Sequence, residues 1–73
     1  MVGIMGEFEQ IREVLTEIEM DEPLTAREIR EALEERGADI GSTHRIATVL
    51  GRRARHGEVE VVRGRPYRYR LDE

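Results

Sequence analysis

Seventy-three residues without a cysteine leave room for one small core and for neither a disulfide nor a thiolate metal site, so the fold must rest on packing alone. No apolar run approaches the ~20 residues that a membrane-spanning helix needs. The net charge of −4 averages two unlike halves: residues 1–41 carry 4 Arg against 12 acids, a net of −8, and residues 42–73 carry 8 Arg against 4 acids, a net of +4.

Residues 1–6 have no positive charge and run into Glu7. They read as a flexible leader rather than a signal peptide, and the expected setting is a reducing cytoplasm with no membrane contact. From Glu7 the period becomes helical. Phe8, Ile11, Val14, Leu15 and Ile18 share a stripe, which predicts a first helix over about 7–20, ended by Asp21-Glu22-Pro23. Thr25-Ala26-Arg27-Glu28 is a capping box, with Leu24 and Ile29 placed for a hydrophobic staple. It opens a second helix over about 25–36 whose inner stripe is Ile29, Ala32 and Leu33 and whose stop is Gly37. Ala38 to Gly41 connects, with Ile40 as a buried plug. Ser42 can cap a third helix over about 43–56, with Ile46, Val49, Leu50 and Ala54 inward and Gly57 as its stop.

Beyond Glu58 the period is two, which predicts a β-hairpin over about 58–71. A two-residue loop would set Val61 against Arg68. A three-residue loop, Gly64 to Pro66, sets Val61 against Tyr69, Val59 against Leu71 and Glu60 against Arg70. The second register groups the apolar residues and pairs opposite charges, and is preferred. Tyr67 and Tyr69 share the phase of Val59, Val61 and Leu71 and are expected in the core. The expected fold class is α+β, a single domain of three helices with a two-stranded hairpin, beside which Leu24 adds a few residues of rudimentary strand.

The run Leu24-Thr25-Ala26-Arg27-Glu28-Ile29, a third helix, and then Val59-Glu60-Val61-Val62-Arg63-Gly64-Arg65-Pro66-Tyr67-Arg68-Tyr69 resemble the winged helix-turn-helix superfamily over residues 7–72, in the manner of small prokaryotic and archaeal regulators of MarR, PadR or ArsR type. The connector before the third helix, about five residues, is longer than that family's usual turn. The resemblance implies a third helix in the DNA major groove and a wing on the backbone or minor groove.

The residues agree with that expectation. With Ile46 inward, a helical wheel turns His44, Thr48, Gly51 and Arg55 outward, with Arg45 and Arg52 on the flank. His44, Arg45 and Thr48, early in the helix, are candidates for base contacts. Ser42, Thr43, Gly51, Arg52 and Arg55 are candidates for the phosphate backbone. Gly51 has two readings, close approach to DNA or packing against a neighbouring helix. Arg53 falls near the core stripe, where its stem can pack and its head reach water. At the hairpin, Arg63, Arg65 and Arg68 are the wing candidates, and Arg70 is expected to pair with Glu60. His44 and His56 have no Cys or acidic partner in helical phase, so no metal and no cofactor are expected, and no catalytic constellation is visible. The expected function is therefore binding of double-stranded DNA, as in a transcriptional regulator, with a homodimer through the first helix as the assembly that would double its contacts. The alternative is a protein-interaction module that uses the acidic N-terminal half, and RNA binding by the hairpin is disfavoured if both tyrosines point inward.

Overall fold

In a computed structural model, described over residues 6–18, 22–38 and 40–72, the chain runs α1 (Glu7–Glu17), β1 (Leu24–Thr25), α2 (Ala26–Glu35), α3 (Thr43–Ala54), β2 (Val59–Val62) and β3 (Arg68–Leu71). It is an α+β fold in which the strands form one antiparallel sheet of order β1-β3-β2. The two-stranded expectation is thereby corrected to three strands. Leu24 pairs with Tyr69 and Thr25 with Arg68, so the residues just before α2 take the free edge of β3. The connection from β1 to α2 is immediate, since Thr25 is both a strand residue and the cap of the helix.

Helix boundaries follow local chemistry. The capping box is complete: the Glu28 amide donates to Thr25 Oγ1 at 3.1 Å and the Thr25 amide donates to Glu28 Oε1 at 2.9 Å. At the other end of α2, the Gly37 amide donates to the Glu34 carbonyl and the Ala38 amide to the Leu33 carbonyl, a Schellman closure that needs the φ of +76° at Gly37. Gly57, at φ +78°, ends α3 in the same way, with amide bonds from Gly57 to Ala54 and from Glu58 to Arg53. This turn takes up residues 55–57, so α3 stops at Ala54 rather than at His56. The expected extension of the first helix to Met20 and the leader before Gly6 lie outside the described residues, and Ile18 is the C-cap of α1.

The core gathers one stripe from each helix and the inner face of the sheet. Ile11, Leu15, Ile29, Leu33, Ile46 and Leu50 are essentially inaccessible, with Phe8, Val14, Ile40, Val59 and Tyr69 buried around them. Ile40 plugs the connector as expected, and the Arg30 guanidinium donates to the Gly41 carbonyl from α2 to hold that connector down. The hairpin register is the one that the apolar pattern prefers: Val59 opposes Leu71, Glu60 opposes Arg70 and Val61 opposes Tyr69. Strand pairing ends at Val62 and Arg68, which leaves residues 63–67 as a five-residue tip. Tyr67 belongs to that tip and is 49% exposed, so its expected place in the core is corrected. The reason is length. The two residues of β1 reach only as far as Arg68, and an inward-phased side chain beyond Tyr69 has no wall to meet.

Candidate nucleic-acid interface

Helix α3 buries Ile46, Val49 and Leu50, and this fixes what it presents to solvent. His44, Arg45, Arg52 and Arg55 are exposed, and Thr48 and Gly51 are half-buried. Ser42 is committed to the helix N-terminus, where its Oγ accepts from the Arg45 amide at 3.2 Å, and Thr43 follows as the first helical residue. The Thr48 hydroxyl donates back to the His44 carbonyl at 2.9 Å. A Cβ built at Gly51 would meet nothing within 4 Å, so packing against a neighbouring helix is excluded as the reason for the glycine.

The arginines divide into engaged and unengaged. Arg45, a candidate for a base edge, is held by a carboxylate at the start of α1: Nε donates to Glu7 Oε2 at 2.8 Å and Nη2 to Oε1 at 2.7 Å. These hydrogen bonds hold the Glu7 carboxyl below its ordinary range, and the charges of Arg45 and Arg52 add to the shift. Arg53 does more than snorkel. Its guanidinium lies 4.7 Å from the Phe8 ring centroid and donates to Glu58 at 3.1 Å, tying α3 to α1 and to the start of the hairpin. Arg70 pairs with Glu60 across the hairpin, as its register requires. In the N-terminal half, Arg36 bridges to Glu17 and Arg30 to Glu34.

Among the described residues, seven arginines form no ion pair, and all are exposed: Arg12 on α1, Arg27 on α2, and Arg52, Arg55, Arg63, Arg65 and Arg68. The last five occupy the C-terminal end of α3 and the hairpin. Arg68, opposite Thr25, lies close enough to the second helix for its charge to help lower the Glu28 carboxyl, whose shift comes first from its hydrogen bonds with Thr25. Sequence reasoning missed two residues here. Glu7 gives no local signal, because its partner is 38 positions away. Tyr67 follows Arg65-Pro66 in a Gly-Pro loop, a position where strand phase no longer predicts burial.

Among the described residues, no three His, Cys, Asp or Glu side chains gather where they could hold a metal ion, and no helix is long and apolar enough to cross a membrane. The chain matches no family model, no curated protein and no solved structure.

Proposed function

We propose that this chain is a winged-helix protein that binds double-stranded DNA, with α3 in the major groove and the β2–β3 hairpin as a wing on the backbone or minor groove. The observation that carries the reading is the distribution of unneutralised charge. Five of the seven arginines without a carboxylate partner sit at the end of α3 and on the hairpin, while the other two, Arg12 and Arg27, lie on helices rich in glutamate. Guanidinium groups release counterions from phosphates and so supply affinity. Selectivity falls to the N-terminal turns of α3, where His44 offers a ring donor and Thr48, its hydroxyl bonded to the helix backbone, a methyl group of the kind that suits a thymine. Gly51 would give a phosphate close access to the helix backbone.

The test is selection of bound sequences from a random duplex pool at two salt concentrations. Enrichment of a common sequence, with affinity falling as salt rises at a slope of about −4.5 for five phosphate contacts, supports the reading. A pool that stays random and an affinity indifferent to salt would remove it.

A further inference from the structure

Tyr67 is the most exposed large apolar side chain among the described residues, while Tyr69, two positions on, is 6% exposed. Its surroundings are unusual in composition. From Val61 to Leu71 the chain holds no acid; Arg63 and Arg65 lie in the same tip as Tyr67, and Arg68 is its neighbour in sequence. Tyr67 directly precedes Arg68, the last paired residue of β3, whose partner Val62 directly precedes Arg63. The one arginine–ring contact among the described residues is Arg53 over Phe8, so no guanidinium covers the Tyr67 face.

We propose that the hairpin tip is a binding site for an unpaired nucleotide, in which Tyr67 stacks on the base and Arg63, Arg65 and Arg68 hold the flanking phosphates. An open ring face amid cations complements a base and its backbone together, whereas in a duplex the base faces are already covered by their neighbours. This site is separate from the contacts proposed for α3 but shares Arg63, Arg65 and Arg68 with those proposed for the wing. It takes unpaired DNA and RNA by the same chemistry, and it reverses the sequence expectation that disfavoured single strands because both tyrosines would point inward.

The chain carries its own reporter, since it has two tyrosines and no tryptophan. Oligothymidylate, oligouridylate and a blunt duplex would each be titrated into the wild type, Tyr67→Phe and Tyr67→Ala, with affinity read by anisotropy of a labelled strand and stacking by tyrosine emission. The expected result is quenching of wild-type emission by a single strand. Tyr67→Phe should keep the affinity but lose the quenching, and Tyr67→Ala should lose about tenfold in affinity for single strands. The tighter of the two oligomers identifies the natural strand. Unchanged single-strand affinity in Tyr67→Ala, or single-strand binding that leaves wild-type emission unaltered, overturns the site. Duplex binding by the wild type that survives Tyr67→Ala leaves the α3 reading standing whatever the single-strand result, and a wild type that binds single strands but no duplex removes that reading without touching this one.

Discussion

Arg45 and Glu7 meet through two short hydrogen bonds, and this contact decides how many cations α3 can offer. Replacing Glu7 with Gln releases Arg45 to solvent. The expected outcome is tighter duplex binding and a salt slope steeper by about one contact, −0.9, read from affinities over a salt series. The same carboxyl and that of Glu28 both have folded-state values below the ordinary range, Glu7 through Arg45 and Glu28 through its bonds with Thr25. A lowered folded value means that the unfolded chain binds protons first as pH falls. The stabilisation is complete above the ordinary carboxylate range, at about pH 4.3, and is lost as pH drops through the folded values. Urea midpoints measured over an acid series should therefore fall less steeply in Glu7→Gln and in Glu28→Gln than in the wild type. Arg53 acts on packing instead. Arg53→Ala removes both the Phe8 contact and the tether to Glu58, and should lower stability by about 1 kcal/mol, read from chemical denaturation.

The elements owe their limits to a few terminal residues. Thr25→Ala breaks the capping box at the junction of β1 and α2, and should cost about 1 kcal/mol. Gly51 is the opposite case. With open space at its Cβ and no positive φ, Gly51→Ala should stabilise α3 by up to about 1 kcal/mol while weakening duplex binding, if the helix backbone approaches a phosphate there. Thermal melts and duplex titrations on one variant separate the two effects, and a variant that is stabilised with unchanged affinity would place Gly51 off the interface. These caps and stops were legible because each is a local rule: Thr25 with Glu28, Ser42 before its helix, and glycines at both Schellman closures. The hairpin register was legible because a slip of one residue would have turned Tyr69 outward and Arg68 inward. The length of the third strand and the fate of Tyr67 were not, since both depend on where a neighbouring element runs out.

At the scale of the molecule, an acidic chain keeps five of its seven unpaired arginines on one helix end and one hairpin, the other two being Arg12 and Arg27 on the glutamate-rich helices. The charge asymmetry between halves was plain in the sequence, but which arginines are spent on carboxylates was not. Arg45, Arg53 and Arg70 each find a glutamate, two of them on another element, and only the Glu60–Arg70 pair follows from register. The account therefore rests on the five unpaired arginines of α3 and the hairpin, and the most direct measurement is a backbone amide titration by NMR with an unlabelled duplex. Amides of residues 43–55 and 63–68 should shift together, leaving the outer faces of α1 and α2 unmoved. Shifts confined to α1 and α2, or spread evenly over the chain, would contradict it.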